Sequence, residues 1–123
     1  MTNAQNDTLD SIKFNCQNAK CLQETPFAYT LSLIAGKYKM SILYCLFRGE
    51  VVRYNEMKRY LQGVSFKTLT NALRELENDN LIIRTEYPQI PPRVEYSLSQ
   101  RGKSLIPILD AMCEWGKDHY TKA

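Results

Sequence analysis

The chain of 123 residues contains no stretch close to the roughly 18 unbroken apolar residues that a membrane helix needs. Its opening residues, MTNAQNDTLD, have neither the basic start nor the apolar run of a secretory signal, so no membrane association and a cytoplasmic location are expected. Metal-ligand spacing is missing too. The four cysteines, Cys16, Cys21, Cys45 and Cys113, form no CxxC pair, and the single histidine, His119, has no partner at a telling spacing. A zinc site is therefore not expected, and without an export signal the thiols should be reduced. No catalytic constellation is visible; neither an enzyme nor a bound cofactor is expected. The eight tyrosines can line a ligand pocket, but at these spacings they read more simply as packing or interface residues.

A strong charge of one sign is also absent, since the net charge is +3. Its distribution says more than its size. From Lys37 to Arg74 eight basic residues stand against two acids, Glu50 and Glu56, a local excess of +6. Such a block suits a surface that meets a polyanion, and it equally suits a solvated basic face. With 44% hydrophobic and 24% charged residues the composition is that of an ordinary globular protein, and the length suits one domain with its own core.

Residues 1–25 are polar and weakly patterned, with Leu9, Ile12 and Phe14 as the candidates for a short helix or arm. Pro26 stands where a first helical turn tolerates it, and Ala28, Leu31, Ile34 and Ala35 repeat at helical spacing up to Gly36. Met40, Leu43, Leu46 and Phe47 predict a second helix ending before Gly49. A short helix follows over 54–61, with Met57, Tyr60 and Leu61 facing inward.

The run from Val64 onward carries agreeing start signals. Ser65 can cap the helix by accepting from the backbone N–H of Thr68, and Val64 can staple onto Leu69. Leu69, Ala72, Leu73 and Leu76 define a buried side. At about 100° per residue, Lys67, Asn71, Arg74 and Asn78 fall on the opposite side, with Thr70 flanking them. Asn80 can take the left-handed conformation that ends a helix. Two strands are predicted next, over 81–87 and 93–98, joined by the stiff loop Pro88-Gln89-Ile90-Pro91-Pro92. Ser99 can cap a final helix to about Tyr120, with Pro107 kinking it or confined to an early turn. The apolar residues of that helix, from Leu105 to Trp115, cover more than one side, which suggests one surface for the core and another for a second subunit.

A helix pair joined by a short turn containing Gly63 is a helix-turn-helix pattern, and the added hairpin makes it winged. A mainly α fold with a small β-hairpin is expected: an arm over 1–25, a winged helix-turn-helix over 26–99 and a dimerising helix over 100–123. A major groove about 12 Å wide admits one α-helix, whose exposed side chains reach base edges. Arg74 and Lys67 can donate to guanine, and Asn71 can make the paired contact to adenine. Ser65, Thr68 and the first backbone N–H groups can hold a phosphate. Arg53, Arg59, Arg84 and Arg93 extend the basic surface. Arg93 is a candidate for a phosphate or minor-groove contact, or else a cross-strand partner for Glu86. The rival reading is a winged-helix module that binds proteins and never touches DNA.

These residues also carry a resemblance. The runs Leu31-Ser-Leu-Ile-Ala-Gly-Lys-Tyr38, Arg53-Tyr-Asn-Glu-Met57, Val64-Ser-Phe-Lys-Thr-Leu-Thr-Asn-Ala-Leu-Arg-Glu-Leu-Glu77 and Pro91-Pro-Arg-Val-Glu-Tyr-Ser-Leu98 resemble the HxlR family, MarR-related winged-helix regulators of bacteria. The resemblance spans about Cys21 to Trp115 and departs from the family pattern at Leu22, Tyr38 and Asn80. It implies a homodimer built from terminal helices, which binds a near-palindromic operator in double-stranded DNA; the role expected of such a reader here is that of a repressor. It also implies that relatives sense quinones, aldehydes or oxidants through a cysteine matched here by Cys21. Lys20 precedes Cys21, and a neighbouring cation favours the reactive thiolate; Cys16 is placed to act as a resolving partner. Cys45, among Leu43, Leu46 and Phe47, reads as core, and Cys113 as core or dimer interface.

Overall fold

A computed structural model describes residues 21–121, and the chain divides between Ala35 and Gly36 into two compact units. Leu9, Ile12, Phe14 and Cys16 lie outside the described residues. In the first unit a 3-10 turn over Leu22–Glu24 precedes helix α1, Pro26–Ile34. Thr25 caps α1 by accepting from the backbone N–H of Ala28 at 3.1 Å, and Pro26 occupies the first turn, where its missing N–H costs no helical bond.

The second unit begins with helix α2, Lys39–Gly49. Its inward residues are Ile42, Leu43, Cys45 and Leu46, while Met40 and Phe47, expected in the apolar stripe, are half-buried. The helix runs through Gly49 and stops at Glu50, whose backbone turns at φ 64° and ψ −63° as the Val51 N–H donates to the Gly49 carbonyl at 2.7 Å. That abrupt turn leads into strand β1, Val52–Arg53, which no sequence signal announced because two residues show no alternation.

Helix α3, Tyr54–Tyr60, buries Met57 completely. Leu61, four residues on, takes the neighbouring inward position, so Tyr60 is left on the flank and is exposed, contrary to expectation. Helix α4, Phe66–Asn78, follows the turn 61–65, in which Gly63 at φ 87° supplies the left-handed backbone. Strands β2, Ile82–Tyr87, and β3, Arg93–Leu98, form the expected hairpin, with the tip residue Ile90 wholly exposed. The sheet is antiparallel in the order β1-β3-β2, registered by Val52 opposite Tyr96, Ile82 opposite Leu98 and Tyr87 opposite Arg93.

The single final helix expected after Ser99 is two helices, α5 over Gln100–Lys103 and α6 over Ile106–His119. Pro107 explains the break. It has no N–H for the Lys103 carbonyl, and its ring would collide there, so it sits in the first turn of α6. Within α6 only Leu109 is buried; Ile108, Met112 and Trp115 are exposed along its length. The deepest core is made of Ile42, Leu43 and Leu46 from α2, Met57 from α3, Leu69 and Leu76 from α4, and Leu81 before β2. No helix among the described residues is long and apolar enough to cross a membrane.

Candidate nucleic-acid interface

Helix α4 owes its setting to its own sequence. The Ser65 hydroxyl accepts from the Thr68 N–H at 3.1 Å, which satisfies a donor that would otherwise lack a partner at the helix start. Val64 and Leu69, on either side of this cap, are both buried. Leu69, Ala72, Leu73 and Leu76 are the buried residues of α4, the set that the spacing predicts. Lys67, Asn71, Arg74 and Asn78 are all exposed, so the polar ridge stands clear of the protein's own chain. Asn80, at φ 61°, ends the helix in the left-handed conformation.

Three of the predicted hydroxyl positions are engaged locally. Ser65 Oγ donates to Thr68 Oγ1 at 2.9 Å. Thr70 is half-buried, and its hydroxyl shares a 3.3 Å hydrogen bond with the Tyr54 hydroxyl. Tyr54 also donates to the Phe66 carbonyl at 3.3 Å, and the two rings pack at 5.5 Å. Tyr54 and Phe66 were missed in the sequence: partners 12 or 16 residues apart leave no periodic trace. Together they fix the start of α4 against α3.

Two arginine-lined clefts flank the hairpin. One, of about 500 Å³, opens between α4 and the hairpin and is lined by Thr70, Arg74, Glu77, Arg84 and Tyr96. The other, of about 760 Å³, lies between α3 and the hairpin tip and is lined by Arg53, Arg59, Arg93 and the tip prolines. Tyr54 and Val94 line both, so the clefts are neighbours with a common wall. The structure thus places Arg74 and Arg84 in one cleft and Arg53, Arg59 and Arg93 in its neighbour, with Lys67 and Asn71 on the exposed ridge of α4.

The hairpin arginines are not loose. Arg84 donates to Glu86 at 2.9 Å, and this carboxylate raises its already high pKa. Burial pushes the Tyr96 hydroxyl up, an effect partly offset by Arg84 beside it. Arg93 does not pair with Glu86. The register puts Val94 opposite Glu86, and Arg93 turns instead to Glu95 at 3.5 Å while stacking over the Tyr87 ring at 4.3 Å. Glu95 also lies opposite Arg53, with 4.0 Å between the charged groups. One carboxylate therefore orients an arginine from each of two neighbouring strands. Arg59 is exposed.

Cys21 is exposed and precedes the 3-10 turn; Cys16 and Lys20 lie outside the described residues. Cys45 is buried as expected, which pushes its thiol up, and Glu56 adds to that. Cys113 is half-buried, and its thiol beside Tyr44 raises the pKa of that tyrosine.

A family model described as HxlR-like helix-turn-helix matches residues 33–123. The HTH-type transcriptional regulator BH0655 of Halalkalibacterium halodurans is 53% identical over 97 residues, which cover 79% of this chain and 86% of the relative. The HTH-type transcriptional regulator YdzF of Bacillus subtilis is 51% identical over 94 residues, covering 76% and 86% respectively. Among solved structures, the redox regulator HypR in its oxidized form matches with a TM-score of 0.73 at 40% identity, over 79% of this chain and 99% of that one. The reduced form of the transcriptional regulator YodB from B. subtilis matches with a TM-score of 0.65 at 25% identity, over 81% and 94%.

Proposed function

Because the chain belongs to the HxlR-like helix-turn-helix family, whose named relatives are transcriptional regulators rather than enzymes, we propose that it represses transcription by reading duplex DNA through the exposed ridge of α4. The observation that carries this reading is the two-sidedness of α4: four apolar residues sealed into the core, and Lys67, Asn71 and Arg74 clear of it, with Arg74 lining a cleft that it shares with Arg84. In the major groove, Arg74 and Lys67 donate to guanine and Asn71 pairs with adenine. Thr70, Ser65 and Thr68 border the phosphate path, Arg53 and Arg59 neutralise phosphates, and Arg84 and Arg93 hold the hairpin to the backbone.

Two copies act together. The exposed Ile108, Met112 and Trp115 of α6 are an apolar face that a second subunit would cover, and a two-fold dimer calls for a near-palindromic operator. With one α4 per half-site, the half-sites lie about 34 to 36 Å apart. Cys21 is the sensing thiol in this reading, supported by its exposure and by the likeness to the redox regulator HypR, solved in oxidized and reduced forms. Cys16 is its resolving partner, and an oxidant or small electrophile is the signal.

The DNA-binding reading is tested by electrophoretic mobility of a random duplex at rising salt. Wild-type protein should give a salt-sensitive shift, and Arg59→Ala should weaken binding to all sequences alike while reducing the salt slope by about 1. A module that binds only proteins would give no such shift. The thiol reading is tested with diamide: the wild type should lose affinity for its operator and Cys21→Ser should keep it. Equal loss in both would exonerate Cys21.

A further inference from the structure

Among the described residues one charged side chain is buried, that of Lys39. It is the first residue of α2, where a cation opposes the helix dipole, so both its burial and its position count against it. Its stem lies along Gly36, where an added Cβ would meet Lys39 Cδ and Cγ at 3.4 Å, and its ammonium reaches Glu75 of α4 at 3.2 Å. Glu75 itself is mostly exposed, at 62% of its side chain. It sits one turn beyond Asn71 and next to Arg74, so its carboxylate borders the ridge. Between the start of α2 and this flank of α4 runs a groove of about 210 Å³, lined by Lys37, Lys39, Thr68, Asn71 and Glu75.

We propose that Lys39 is a positioning residue for DNA reading: it draws the Glu75 carboxylate away from Asn71 and Arg74 and cancels its charge where phosphates approach. This rests on the DNA-reading role of α4. Stability alone gives little reason for the pair, since Glu75 remains mostly in water and an ion pair with an exposed partner contributes little. An unneutralised Glu75, by contrast, would repel the backbone and compete for the Arg74 guanidinium. The ion pair makes the polar ridge available in a helix whose second half is rich in acids, Glu75, Glu77 and Asp79.

The probes are a random duplex and the duplex that wild-type protein enriches from a randomised library. Lys39→Met should bind the enriched duplex about tenfold more weakly, the order expected of one exposed carboxylate left beside phosphates. Its thermal midpoint should stay close to that of the wild type. Lys39→Gln, which keeps a hydrogen-bond donor but not the charge, should lose affinity to a similar extent and serves if Met is not tolerated. Adding Glu75→Gln to either variant should restore affinity to within about threefold of wild type. Wild-type affinity in both single variants, or no recovery in the double variants, would overturn the role assigned to Lys39 and leave DNA reading intact. A wild-type protein that shifts neither duplex at low salt would overturn both.

Discussion

Replacing Asn71 and Arg74 together by alanine is expected to lower affinity for the enriched duplex roughly 100-fold or more, because each bidentate contact to a base is worth about 1 to 3 kcal/mol of discrimination. Binding to a random duplex should fall far less, since only one charge is lost. The thermal midpoint should hardly move: both side chains are exposed, and the core face of α4 is untouched. Titrating a labelled enriched duplex and a labelled random duplex with the double variant measures the two effects side by side. Equal losses on both would mean that these side chains act on phosphates and not on bases.

Gly102→Ala should cost about 3 kcal/mol, the upper end of what overpacking costs. A Cβ at Gly102 would lie 2.1 Å from the Leu81 carbonyl oxygen, a backbone atom with no freedom to move aside. The damage would spread because this contact belongs to a clasp on the end of α4. Arg101 Nε donates to the Asp79 carbonyl at 3.1 Å, the Ser99 hydroxyl to the Asn80 carbonyl at 2.5 Å, and the Ser99 N–H to the Leu81 carbonyl at 3.1 Å. Three successive carbonyls beyond the last turn of α4 are thus satisfied by the segment that opens α5. Ser99 also caps α5, accepting from the Gly102 N–H at 3.0 Å. Forcing Gly102 outward frees all of these at once. In a chain of this length the melting midpoint should fall by about 10 °C or more, as thermal unfolding followed by circular dichroism would show. A fall of one or two degrees would mean that α5 can shift without releasing the end of α4.

The parts of the fold that could be read from the residues are those whose signals are local and repeated. Helix α4 has a cap, four apolar residues at helical spacing and an asparagine stop, and each is found in its place. The hairpin was legible from alternation and from the prolines between its strands. Strand β1 was not, since it is a strand only by pairing with residues more than forty positions away. Lys39 counted as one more cation in a basic surface block, because burial depends on how α2 meets α4 and not on neighbours in sequence. The acids beside Arg84 and Arg93 lie two residues on in the same strand, Glu86 in β2 and Glu95 in β3, a spacing that puts both side chains on one face; only the approach of Arg53 to Glu95 depends on strand register. The exposed face of α4 was therefore easier to read than the contacts that hold it in place.

The most direct measurement is dimethyl sulfate methylation of guanine N7, an atom on the major-groove edge, across the enriched duplex with and without protein. Wild-type protein should protect guanines in two half-sites one helical turn apart, and Arg74→Ala should leave those guanines open to methylation while the duplex stays bound at low salt. Guanine reactivity that is the same with and without bound wild-type protein would show that α4 does not enter the groove.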